Sequence, residues 1–160
     1  MSTPGHWHWR TERSSPGPAV VFDLDGVISD ATGRQYLLEG PDRDWRAFFD
    51  ACGSDTPLPD QVVLAELLAA AHTVIILTAR PVRLRSTTLE WLDRHGVTCD
   101  LLIMREHDVW EASAVFKTGE VDELERRGFE LRLAFEDDHR NVAMYRDRSI
   151  PCVYIHSGYY

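Results

Sequence analysis

Ala19-Val20-Val21-Phe22-Asp23-Leu24-Asp25-Gly26 is the stretch on which the reading of this chain turns. An apolar run of strand length ends in two carboxylates spaced two apart, then a glycine. Side chains alternate faces along a strand, so Asp23 and Asp25 point the same way. Two like charges held side by side resist joint ionisation unless a cation sits between them or one keeps a proton. A cation makes a Mg²⁺ site, and a retained proton makes a general acid beside a nucleophile. Gly26 lets the backbone turn away at the strand end. Alone, the motif also fits a buried strand with an acidic turn, so the rest of the chain has to decide.

The same pattern recurs downstream. An apolar, β-branched run over 73–78 ends in Thr78-Ala79-Arg80, and a run over 131–135 ends in Glu136-Asp137-Asp138. Further strands are expected over 101–104 and 152–155. Helical spacing and end signals place helices at about 59–68, 82–95, 113–127 and 138–148, with a short one through Trp45, Phe48 and Phe49. Strands alternating with helices predict an α/β fold: a five-stranded parallel sheet with right-handed crossovers and helices on both faces. Residues 27–38 suit a flap over the site. Only 52 residues, 26–77, separate Asp25 from Thr78. Two helices and a strand fill them, so any cap is minimal.

Residues 1–18 show no sustained period and read as a mobile N-terminal tail before a single domain over 19–160. His6 and His8 lie there without further ligands, which argues against a functional metal site. The 160 residues carry a formal charge of −9, which argues against a broad nucleic-acid surface and fits a small substrate or a polymer gripped locally. No membrane-length apolar run or secretory leader is evident. Three cysteines (Cys52, Cys99, Cys152) lack metal-ligand spacing and read as reduced thiols of a cytoplasmic protein. Oligomeric state is left open. Lys117 is the one lysine in a chain whose other basic residues are all arginine.

In parallel α/β sheets ligands bind at the carboxyl ends of the strands, and the three polar clusters all fall at that edge. The set makes sense for phosphoryl transfer, where a phosphate dianion repels nucleophiles and must be neutralised and aligned. Asp23 can attack phosphorus, and Asp25 can protonate the leaving alcohol and then activate water. Thr78 can donate to a phosphate oxygen, and Lys117 can set a point charge beside it. The candidate Mg²⁺ ligands are Asp23, Asp25, Asp137 and Asp138, although Asp138 also fits as a helix cap. Glu136 reads as structural. Trp45, Phe48, Phe49, Leu89, Trp91 and Leu92 read as core.

Asp23-Leu24-Asp25-Gly26, Leu77-Thr78, Lys117 and Asp137-Asp138, in that order, resemble the four motifs of the haloacid dehalogenase phosphohydrolase superfamily. The likeness covers residues 19–155 and implies that superfamily's Rossmann-like fold, Mg²⁺ and an aspartyl-phosphate on Asp23. Gly33-Arg34, Leu77-Thr78-Ala79-Arg80, Thr88 to Leu92, Met104-Arg105, Met144-Tyr145-Arg146 and Ile150-Pro151-Cys152 further resemble the phosphatase domain of phage-type polynucleotide kinase/phosphatase. That resemblance implies removal of 3′-phosphates from nucleic-acid ends or nucleotides, with Arg34 and Arg80 on the substrate. Arg83 joins them as a further candidate, since the helix start after Arg80 favours anions. The kinase half's Gly-x-x-x-x-Gly-Lys-Ser/Thr loop is absent, so a separate kinase or ligase partner is a possibility the resemblance raises.

Two positions depart from the pattern. Val27 follows the motif glycine where Thr is usual. Ser113 stands four residues before Lys117, where the narrower family has an aspartate that orients the lysine; Asp108 or Glu111 is the candidate substitute. Two other readings remain: a 5′-nucleotidase or small-metabolite phosphatase, and a non-catalytic subunit that holds phosphorylated ends.

Overall fold

The computed structural model describes residues 2–12, 15–106 and 111–160. The strands are β1 (Trp7–Trp9), β2 (Pro18–Phe22), β3 (Ser29–Asp30), β4 (Thr56–Pro57), β5 (Thr73–Pro81), β6 (Leu101–Arg105), β7 (Glu130–Glu136) and β8 (Cys152–Tyr154). The α-helices are α1 (Trp45–Asp50), α2 (Pro59–Leu68), α3 (Arg85–Arg94), α4 (Ser113–Arg126) and α5 (His139–Asp147). The main sheet runs β1-β6-β5-β2-β7-β8. Its five strands from β6 to β8 pair in parallel, as the alternating pattern requires.

Period-two alternation divides the core. Ala19 and Val21 of β2 face one side, with Ile75, Leu77, Phe116, Val121 and Leu124. Val20 and Phe22 face the other, with Ile76, Leu102, Trp91 and Leu92. Helices therefore cover both faces, which is why the strands read as continuous apolar runs rather than as alternating ones. From β2 the chain adds β5 and β6 on one side, then crosses to add β7 and β8 on the other. The strand order thus reverses beside β2, at whose carboxyl end Asp23 and Asp25 stand. The expected flap is compact: β3 pairs with β4, and a 3₁₀ turn runs Thr32–Leu38.

The sheet has a sixth strand that the sequence reading did not anticipate. Within the stretch read as a mobile tail, β1 pairs antiparallel with β6. Three residues are too few to show a period, and side-chain contacts anchor this strand. Trp7 is buried, and its indole Nε1 donates to Glu120 Oε2 at 2.6 Å. His6 lies between Glu120, with Nε2 2.7 Å from Oε1, and Glu106, with Nδ1 2.9 Å from Oε1.

Burial alone would lower the pKa of His6, but the hydrogen bond and charge of Glu120, joined by Glu106, outweigh it and raise it. A raised folded value means that the contribution to stability is full below the ordinary 6.5 and is lost as pH rises through the folded value. His6→Gln is accordingly expected to lower the melting temperature at pH 6. The gap from wild type should narrow as pH rises, which melting curves across pH 6 to 9 would record. A gap that widens with pH would show that His6 does not act as a cation there.

Candidate active site

β2 ends where the sheet opens. The Asp23 amide still donates to Phe135 O of β7 at 3.0 Å, and its own Oδ1 accepts from the Leu24 amide at 2.8 Å. The carboxylate is thereby fixed at the strand end. Gly26 then turns the chain at φ +82°. A Cβ built there would lie 2.1 Å from Asp137 Oδ2, so the position needs both the left-handed conformation and the empty space. Gly26→Ala should displace Asp137 and cost activity well beyond its effect on melting temperature. Parallel activity and melting measurements would check this, and an active Gly26→Ala protein would contradict it.

Two charge networks flank this turn. In the first, Lys117 of α4 is fully buried and reaches Asp23 Oδ1 at 3.0 Å while also pairing with Glu136 Oε1. Burial alone would lower the lysine pKa, but Asp23 and Glu136 carry it well above its ordinary value, so it stays charged. Asp23, Glu136 and Asp137 can each bring an oxygen within 4.8 Å of the others. Burial, then the charge of Asp23, pushes the carboxyls of Glu136 and Asp137 up. Both Asp137 oxygens are buried without a well-formed hydrogen bond, although the Ser157 hydroxyl beside them partly offsets the rise. Orphaned buried oxygens on a hard-donor trio fit a divalent cation such as Mg²⁺.

The second network holds Asp25. Arg80 Nη2 and Arg34 Nη2 each donate to Asp25 Oδ1 at 2.6 Å. Asp55 braces both arginines. It accepts from Arg34 Nη2 at 2.8 Å, from Ser29 Oγ at 2.6 Å and, more weakly, from Arg80 Nη2 at 3.5 Å. Arg34 Nη1 also donates to Phe48 O at 3.1 Å, which ties α1 to the network. Burial would raise the pKa of Asp25, but the two guanidinium groups outweigh it and hold the carboxyl below its usual range.

The structure gathers most of the sequence-derived candidates. Asp23, Asp25, Thr78, Lys117 and Asp138 line one cleft of about 800 Å³. Arg34 and Arg80 stand directly behind it, buried against Asp25. Arg83 does not join them; it is paired with Asp50. Two of the candidate cation ligands are otherwise engaged. Asp25 is held by the arginines, while Asp138 caps α5 through the Arg140 amide and pairs with Arg140 Nη2 at 2.8 Å. Glu136, read from sequence as structural, is the carboxylate whose oxygen comes near those of Asp23 and Asp137, although it too is engaged, with Lys117 and the Asp137 amide.

Asp55 was missed because it sits among Gly, Ser, Thr and Pro and reads as a turn. Of the candidate substitutes for the family's aspartate, where this chain has Ser113, Asp108 lies outside the described residues, and Glu111 lines the cleft. Ser113 Oγ accepts from Asn141 Nδ2 at 3.4 Å, and Glu136 does the work of holding Lys117.

The chain resembles several solved phosphatases in fold. A chain of the Pnkp1/Rnl/Hen1 RNA repair complex superposes with a TM-score of 0.76 at 20% identity, over 97% of this chain and 47% of that one. A class C acid phosphatase from Bacillus anthracis gives 0.66 at 15% identity, over 92% and 69%. A HAD-like phosphatase from Mesorhizobium loti gives 0.60 at 15% identity, over 90% and 75%. The chain therefore spans about half the length of the chain that it matches in that complex. No curated protein sequence matches it. The family model of the polynucleotide kinase PNKP phosphatase domain matches residues 17–160, so the chain belongs to that family of haloacid dehalogenase-type phosphatases.

Proposed function

We propose that this protein is a Mg²⁺-dependent phosphomonoesterase acting through an aspartyl-phosphate on Asp23 and directed at 3′-phosphates of nucleic-acid ends or nucleotides. The observation that carries the reading is the pairing of Asp23 with a buried, charged Lys117, 3.0 Å away, in the lining of an open cleft. Lys117 and the Leu24 amide hold the Asp23 carboxylate in place and aimed, as a nucleophile must be. The lysine charge offsets the repulsion between that carboxylate and an incoming phosphate dianion.

Asp25 supplies the proton to the leaving alkoxide. Arg34 and Arg80 lower its pKa, and the incoming dianion pushes it back up, so the carboxyl takes a proton as substrate binds and gives it up as the alcohol leaves. Once the alcohol has gone, the same carboxylate removes a proton from the water that attacks phosphorus. Thr78, in the carboxyl-terminal half of β5, offers its hydroxyl to a phosphate oxygen. Asp23, Glu136 and Asp137 are the residues that would hold Mg²⁺, which screens the phosphate charge when bound.

The 3′ preference rests on the family and on the open cleft, which admits a polymer end. The likeness to a chain of the Pnkp1/Rnl/Hen1 RNA repair complex supports work alongside separate end-processing partners. Buried free cysteines and the lack of any helix long and apolar enough to cross a membrane, among the described residues, suit a reducing cytoplasmic setting.

Phosphate release with Mg²⁺ from matched 3′- and 5′-phosphorylated oligonucleotides and mononucleotides tests the reading. Release confined to 3′-phosphates supports it. Release from 5′-phosphates or metabolites alone leaves a phosphatase of another specificity. Mg²⁺-dependent binding without release from any of them leaves a binding subunit. In the same assay Arg83→Ala should stay within about twofold of wild type, since an exposed ion pair contributes little.

A further inference from the structure

One wall of the cleft is aromatic, and phosphate chemistry alone gives it no task. Trp45, Phe48 and Phe49 of α1 were read from sequence as core. Phe48 is buried, but Trp45 is 42% exposed, and all three line the cleft. Single exposed apolar residues are ordinary. Here the three rings support one another: Trp45 meets Phe48 edge-on at 5.7 Å and lies tilted against Phe49 at 6.0 Å. The Arg34 guanidinium sits 4.2 Å from the centre of the Phe48 ring while its Nη2 holds Asp25. The aromatic wall is thereby fixed in position relative to the carboxylate proposed to protonate the leaving group.

We propose that Trp45, backed by Phe48 and Phe49, is a stacking platform for the nucleobase of the nucleotide that carries the scissile phosphate, and that exposed Arg43 faces the preceding phosphodiester. This rests on the phosphatase reading above. A flat π face takes any base, and a nearby cation follows the backbone, which together make a sequence-tolerant single-strand site. Arg43 lies two residues before Trp45, lines the same cleft, and has no ion-pair partner among the described residues. The pairing of one aromatic and one arginine lets an acidic protein grip a polymer end locally without a basic face.

The test compares two 3′-phosphorylated trinucleotides, one intact and one lacking the base of its terminal nucleotide, with wild type, Trp45→Ala and Trp45→Phe. Wild type should prefer the intact substrate by on the order of tenfold in kcat/KM, carried by KM. That ratio should fall towards one in Trp45→Ala and recover in Trp45→Phe. A wild-type ratio of one, or a ratio unchanged by Trp45→Ala, would overturn the platform while leaving the phosphatase intact. Absence of release from either substrate by wild type would overturn the phosphatase reading and the platform with it.

Discussion

Asp23→Asn is expected to cut phosphate release by on the order of 10⁴-fold or more, because the proposed covalent step has no nucleophile without the carboxylate. The same change should leave the fold intact or firmer. Asp23 crowds Glu136 and Asp137 and helps to push both carboxyls up. Neutralising it removes that repulsion, while Lys117 keeps Glu136 as a partner. Activity and melting temperature should therefore move apart: near-zero turnover with an unchanged or higher melting temperature in the absence of divalent cation. Such a divergence marks a residue whose charge is kept for chemistry at a cost in stability. A variant that loses both together would indicate that Asp23 serves the fold.

Lys117→Met is the second large effect, and it acts on both properties. The lysine is fully buried and is shared between Asp23 and Glu136. Removing it strands buried carboxylates without a counter-charge, which typically costs about 3–5 kcal/mol. For a domain of this size that is a large fraction of total stability. Lys117→Arg should not rescue it, because the planar guanidinium fork does not fit a pocket closed around a compact ammonium. Denaturant melts of the three proteins would measure this. A Lys117→Met protein as stable as wild type would show that the carboxylates are protonated or solvated when the lysine is absent.

What could be read from sequence followed from local pattern. Buried strands give apolar runs, and polar residues that close such runs stand out against them, so Asp23, Asp25, Thr78 and Asp137 could be placed at one sheet edge. Lys117 stood out by composition, as the single lysine among arginines. Partners that depend on long-range contact could not be read in this way. Glu136 looks like one more strand-end acid until Lys117 is seen beside it, 19 residues away in sequence. Asp55 has the sequence context of a loop and the surroundings of a buried ion pair. Trp45 and Phe48 share a helical period, yet that period does not say that both rings line the cleft, one of them buried and the other exposed. The edge strand β1 is too short for any period, and its place depends on His6 and Trp7 meeting Glu120, more than a hundred residues away.

In the proposed mechanism phosphate passes through a covalent bond to Asp23. The most direct measurement mixes enzyme with a 3′-phosphorylated oligonucleotide and Mg²⁺, quenches in acid within the first turnover, and looks for a phosphoryl group by peptide mass analysis. One phosphoryl group is expected on the peptide containing Asp23, removed by hydroxylamine and absent in Asp23→Asn. Phosphate release at full rate with no phosphorylated peptide at any quench time, or a phosphoryl group on a different residue, would contradict it.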